Sequence, residues 1–206
     1  MRKVFLDCGA FDGCSVRMFL DTHPEADQFE IFSFEPNPHL AKYHPVPPSK
    51  FINRAVWVRS GKITFFAHGS GGGSTLIKVK SERNNRKAQK RPSLFDVGEA
   101  IEIRCINLSK WIKKHFKPDN YIILKMDIEG AEYEILDRMI KDKTLSYIDI
   151  LYCEFHRRRC GVSKLREHNI MRAIEKLHIP IHPWNAMTKD YLQEMNCAEF
   201  KQANEI

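Results

Sequence analysis

Short apolar runs alternate along the chain with segments whose apolar residues recur at helical spacing. Val4-Phe5-Leu6 predicts a buried strand, ending in a polar, glycine-bearing turn over residues 7–13. Over residues 14–20, Val16, Phe19 and Leu20 fall on one side of a helix. Residues 30–34 predict a second strand, closed by Glu35-Pro36-Asn37-Pro38, where two prolines end regular structure. The proline-rich stretch 44–49 reads as a loop. Strands follow over 51–52, 55–58 and 62–66, with Ser60-Gly61 as a hairpin turn between the last two.

The pattern dissolves over residues 69–99, which predict a long loop. It returns in an alternating strand over 101–106 and an amphipathic helix over 109–116, stopped by Pro118. An apolar strand over 121–126 ends in Asp127, and residues 131–140 put Ile135, Leu136, Met139 and Ile140 on one helical face. A strand over 147–155 and a helix over 164–177 follow, and the signal fades after Pro180. Strands alternating with helices predict an α/β fold with a mostly parallel sheet, covered by helices on both faces. At 206 residues the chain fits one domain over 1–206.

With 43% hydrophobic and 29% charged residues, the chain can pack an ordinary globular core. No apolar run reaches the ~18 residues needed to cross a bilayer. The apolar start meets Asp7 at once, too soon for a signal peptide, so a cytoplasmic protein is expected. Six scattered cysteines form no CxxC pair and read as free thiols. The net charge of +7 is uneven. Lys78, Lys80, Arg83, Arg86, Lys87, Lys90 and Arg91 are opposed only by Glu82. This run reads either as a substrate-contacting loop for an anionic partner or as a solvated insertion.

In open parallel sheets, ligands bind beyond the carboxyl ends of the strands. The residues at those ends are the 7–13 turn, Glu35, Asn53, Asp127 with Glu129, and Glu154 with His156. Gly9 permits a tight turn, and Gly13 lets the following helix approach the strand. A dinucleotide-binding turn would want glycine where Phe11 and Cys14 stand, and Asp7 repels phosphate. Asp7 suits instead a cationic or amino-bearing ligand. Glu35 can accept both hydroxyls of a ribose. A nucleoside without phosphate and with a cationic arm satisfies both demands, and S-adenosylmethionine is such a molecule.

These segments resemble the FkbM-type methyltransferases. The resemblance lies in residues 5–13, in Phe34-Glu35-Pro36-Asn37-Pro38, and in Asn53-Arg54-Ala55-Val56 with Gly61. It is strongest in Leu124-Lys125-Met126-Asp127-Ile128-Glu129-Gly130-Ala131-Glu132, and extends to the strand that ends in Glu154 and His156. It implies a Rossmann-like class I fold and methylation of a hydroxyl on a sugar, glycan or related small molecule. It also implies cofactor contacts from Asp7, Gly9, Ala10, Phe11, Asp12, Gly13 and Glu35, with Asn53, Ala55 and Asp127 beside them.

Methyl transfer from a sulfonium depends chiefly on aligning nucleophile and methyl. A hydroxyl nucleophile also gains from a general base, for which Asp127 stands best, with Glu129, Glu154 and His156 near it in the scheme. Asp127, Glu154 and His156 form a candidate set for Mg²⁺ or Mn²⁺. Glu132 reads as favouring the N-terminal end of its helix. One alternative is an RNA methyltransferase acting on a ribose 2′-hydroxyl or cap, using the basic loop and a Lys125 that points with Asp127. Another is a module that binds S-adenosylmethionine without catalysis.

Overall fold

The computed structural model describes residues 1–67, 74–77 and 99–184. The basic residues Lys78, Lys80, Arg83, Arg86, Lys87, Lys90 and Arg91, and most of the expected 69–99 loop, lie outside the described residues.

Six strands form a wholly parallel sheet: β1 (Lys3–Cys8), β2 (Phe29–Phe34), β3 (Lys50–Ile52), β7 (Tyr121–Met126), β8 (Ile150–Cys153) and β9 (Ile181–Pro183). Their order is β3-β2-β1-β7-β8-β9, so β1 and β7 lie at the centre. Both central strands are buried after their first residue, which is why they read as continuous apolar runs.

Alternate residues serve opposite faces. Val4, Leu6, Cys8, Ile122, Leu124 and Met126 join the larger core. There they meet Ile112 of α2 (Leu108–His115), Ile135 and Leu136 of α3 (Glu132–Lys141), and Ile170 and Ile174 of α5 (Lys164–Lys176). Phe5 and Ile123 face the other way, toward Val16 and Phe19 of α1 (Cys14–Thr22). The Phe5 and Phe19 rings stack at 4.1 Å. The α/β expectation and its two covered faces therefore hold.

A second sheet departs from the hairpin expected at Ser60-Gly61. β4 (Ala55–Trp57) and β5 (Gly61–Ala67) do not pair with each other; β6 (Glu99–Asn107) lies between them, parallel to β4 and antiparallel to β5. Asn107 holds this junction, its backbone N–H donating to Ser60 Oγ at 3.0 Å and its Nδ2 to the Val58 carbonyl at 2.6 Å. The same side chain accepts from Lys110 N and caps α2.

Two further differences concern the site. The strand expected over 147–155 is shorter, because residues Leu145–Tyr147 form a 3₁₀ turn and the chain leaves the sheet after Cys153. His156 is then followed by a short helix, α4 (Arg157–Cys160). β9 was not expected, since three edge residues carry no readable period. No helix among the described residues is long and apolar enough to cross a membrane.

Phe5 is 1% exposed and clamps α1 to the sheet. Phe5→Ala is expected to cost ~3–5 kcal/mol of unfolding free energy by truncating a buried ring. Denaturant titration checks this, and a loss under 1 kcal/mol would refute the clamp.

Candidate active site

The site begins where β1 gives way to α1. Gly9 and Gly13 both adopt left-handed backbone, at φ 81° and 82°. At Gly9 the need for glycine is twofold, since a Cβ there would lie 1.9 Å from the Asp127 carbonyl oxygen. The N–H groups of Gly9 and Ala10 both donate to the Phe34 carbonyl, each at 3.0 Å. Phe11, itself left-handed at φ 49°, donates its N–H to Glu35 Oε2 at 2.9 Å. Asp12 Oδ1 accepts from Cys14 N at 2.9 Å and closes the turn.

Glu35 leaves β2 into this turn and is buried at 6% exposure. Its second oxygen accepts from Asn37 N at 2.8 Å. Burial pushes its carboxyl up to about 7 against these two hydrogen bonds. Each oxygen thus holds one backbone donor and keeps capacity for another. Beside it, the buried Asn37 Nδ2 has no hydrogen-bond partner among the described residues. A nucleoside diol fits this donor set, and the bulk of Phe11 and Cys14 where a phosphate-binding turn needs glycine agrees with it. Asn53 lies one shell back, its Nδ2 donating to the Glu35 carbonyl at 2.8 Å. Ala55 is buried in β4, opposite Cys105.

Asp7 faces inward. Its carboxylate is fully buried, 3.1 Å from Lys125 Nζ, and accepts a hydrogen bond from Ser15 Oγ. An amino-bearing ligand would find it already neutralised. Lys125 is committed to the first turn. Its side chain is 2% exposed, and its ammonium donates to the Gly9 carbonyl at 2.6 Å, beneath the turn. Both of its printed polar partners, Asp7 and the Gly9 carbonyl, belong to the β1 strand and the turn after it. A lone lysine in an otherwise apolar strand was the available signal for this inward role.

Asp127, Glu129, Glu132, Glu154 and His156 converge at the ends of β7 and β8. Asp127 N donates to the Cys8 carbonyl at 3.1 Å, and Glu154 N to the Met126 carbonyl at 3.0 Å, so the two strand exits are tied to the central ladder. Glu129 and Gly130 turn the chain through left-handed backbone, at φ 56° and 110°. Thr75 Oγ1 supports that turn by donating to the Glu129 carbonyl at 2.7 Å. Its part was not visible in the sequence, since an isolated threonine carries no spacing signal.

His156 is the hub of this cluster. Its Nδ1 lies 3.0 Å from Oε1 of the fully buried Glu132, and its Nε2 lies 3.3 Å from Glu129 and 3.6 Å from Glu154. Burial alone would lower the imidazole, but Glu132, Glu129 and Asp127 outweigh it and raise it to about 9. Burial and the Asp127 charge likewise push Glu154 upward. Glu132 thus does more than favour its helix N-terminus, for it also accepts from Ile128 N at 3.1 Å and orients the imidazole.

Asp127, Glu129 and His156 can bring ligand atoms within 4.8 Å of one another, a grouping that could hold a metal ion. Glu129 stands in this grouping where Glu154 had been expected, and Glu154 Oε1 lies 3.6 Å from His156 Nε2.

The 2-O-methyltransferase NoeI of Sinorhizobium fredii is 27% identical over 160 residues, which cover 74% of this chain. The matched part spans 63% of that relative's length. No solved structure gives a significant match. The Methyltransferase FkbM domain matches residues 7–178, a stretch that contains the first turn, Glu35 and the whole acidic cluster. This chain belongs to the FkbM methyltransferase domain family.

Proposed function

We propose that this protein transfers a methyl group from S-adenosylmethionine to a hydroxyl oxygen of a sugar, glycan or related small molecule. The observation that carries the reading is the pairing of two sites across one backbone contact. Glu35 and the 9–13 turn offer a diol-binding pocket wall, and Gly9 touches the carbonyl of Asp127, where the acidic cluster begins. The printed name of the relative, a 2-O-methyltransferase, supports an oxygen acceptor.

The bound cofactor would supply an electrophilic methyl with a neutral thioether as its leaving group. Everything else falls to the chain. Glu35 accepts the ribose hydroxyls, and the turn orients the ligand through backbone groups fixed by Phe34 and Glu35. Asp127 takes the proton of the acceptor hydroxyl as it attacks, a contribution worth ~10²- to 10⁴-fold in rate. Glu129 and Glu154 accept from neighbouring hydroxyls of the acceptor. His156, as an imidazolium, keeps these carboxylates from repelling one another.

A second reading adds Mg²⁺ or Mn²⁺ at Asp127, Glu129 and His156, favoured by the closeness of their ligand atoms. Such an ion would take the place of the proton on His156 Nε2. It would orient and acidify the acceptor hydroxyl.

Two outcomes are expected. Glu35→Ala weakens cofactor binding by ~1.5–3 kcal/mol, as for a charged acceptor. Hydroxyl donors favour the carboxylate, and burial holds Glu35 half-protonated at about pH 7. Affinity for S-adenosylhomocysteine therefore rises as pH increases through about 7, and Glu35→Gln flattens that rise. Calorimetry across pH 5.5–8.5, at about half-unit steps, would refute this with a flat wild-type profile. Separately, Asp127→Asn lowers turnover by ~10²- to 10⁴-fold, and a loss under about threefold would remove it as the base. EDTA decides the metal: abolished turnover restored by Mn²⁺ supports it, while unchanged turnover leaves His156 as the cation of the cluster.

A further inference from the structure

We infer that Lys125 is a positioning residue for cofactor binding: its ammonium, lying beneath the first turn, locks the Gly9–Ala10 peptide in the orientation that receives the ligand. The inference rests on the cofactor reading above.

Lys125 stands in register with Asp7 across the β1–β7 ladder, on the face shared by Phe5 and Ile123. Its side chain reaches past the strand end to the Gly9 carbonyl at 2.6 Å, while Asp7 Oδ1 lies 3.1 Å from the ammonium. The ring of Trp184, just after β9, covers Nζ with its centroid 5.0 Å away. Asp7 in turn accepts from Ser15 in the first turn of α1. One cation thus ties together the strand that enters the turn, the turn's first carbonyl and, through Asp7, the helix that follows.

Stability alone gives little reason for this arrangement. Burying an ion pair costs desolvation that its attraction only roughly repays, and a well-packed apolar pair often serves as well. An apolar residue could not, however, hold a carbonyl. The Gly9–Ala10 peptide is gripped at both ends, its N–H by the Phe34 carbonyl at 3.0 Å and its C=O by Lys125. Glycine at position 9 gives that peptide its greatest freedom to rotate. The next residue, Phe11, is the one whose N–H fixes Glu35. Rotation of the peptide would carry Phe11 with it and release the carboxylate that accepts the ribose. Lys125 therefore acts on the cofactor through Gly9, Phe11 and Glu35.

The test titrates S-adenosylhomocysteine into wild type, Lys125→Met, and the double variant Asp7→Asn/Lys125→Met, which strands no charge. Both variants are expected to bind about tenfold or more weakly, as for loss of a charged hydrogen bond. Without ligand, amide exchange over residues 9–13 is expected to quicken while the Val4, Phe5 and Leu6 amides stay protected, which general destabilisation would not produce. Glu35→Ala is expected to cost less in the double variant than in wild type, because both act through one turn. A folded double variant that binds within twofold of wild type overturns the inference and leaves the cofactor reading standing. Failure of both variants to fold overturns it too, by making the ammonium a requirement of the fold. Wild-type protein that does not bind the probe brings down the cofactor reading itself, and this inference with it.

Discussion

The approach of Gly9 to the carbonyl of Asp127 governs the spacing of everything at the carboxyl end of the sheet. A Cβ at position 9 would lie 1.9 Å from that oxygen, so only glycine lets the β1 exit pass over the β7 exit. The turn on one side of this contact faces Glu35, and the loop on the other side starts the acidic cluster. A parallel sheet provides such a meeting point because its central strands all end at the same edge. Lys125 reinforces it from below, holding Gly9 from β7, the same strand that ends beside Asp127.

Electrostatics divides this edge into two parts. On the α1 face, Asp7 and Lys125 neutralise each other out of contact with water. Burial works against the ammonium, yet Asp7 and Asp127 outweigh it and hold it charged. At the ends of β7 and β8, Asp127, Glu129, Glu132 and Glu154 surround the His156 imidazole. The carboxylates raise His156 and, through their mutual repulsion, help raise Glu154. Charge compensation inside the fold is complete on the first side. On the second the carboxylates outnumber the single cation among the described residues, and they hold the proton on His156.

The sequence and the structure agree where packing acts on long periodic segments. The strand read over 121–126 is β7 to the residue, and the α2, α3 and α5 boundaries fall within two residues of the periodic pattern. Disagreement arises where partners are distant in the chain. Ser60-Gly61 looks like a hairpin because turn chemistry is local, whereas insertion of β6 is decided by residues some forty positions away. Lys125 was legible as a lone cation in an apolar strand, but its partners Asp7 and the Gly9 carbonyl lie on another strand and turn. The inward direction of the Asp7 carboxylate was not legible, since its partners Ser15 and Lys125 come from two other elements. Glu35, with two prolines behind it, stood out at a strand end in the sequence, and in the fold it lies against the first turn, accepting from Phe11 N.

The central claim is methyl transfer to a hydroxyl oxygen of a carbohydrate or related small molecule. Incubating the protein with methyl-labelled S-adenosylmethionine and separated glycan, RNA, protein and lipid fractions tests it most directly. The account predicts label in the glycan or small-saccharide fraction, in a form that resists alkali as a methyl ether does. Label confined to RNA or protein, or none in any fraction, would contradict it.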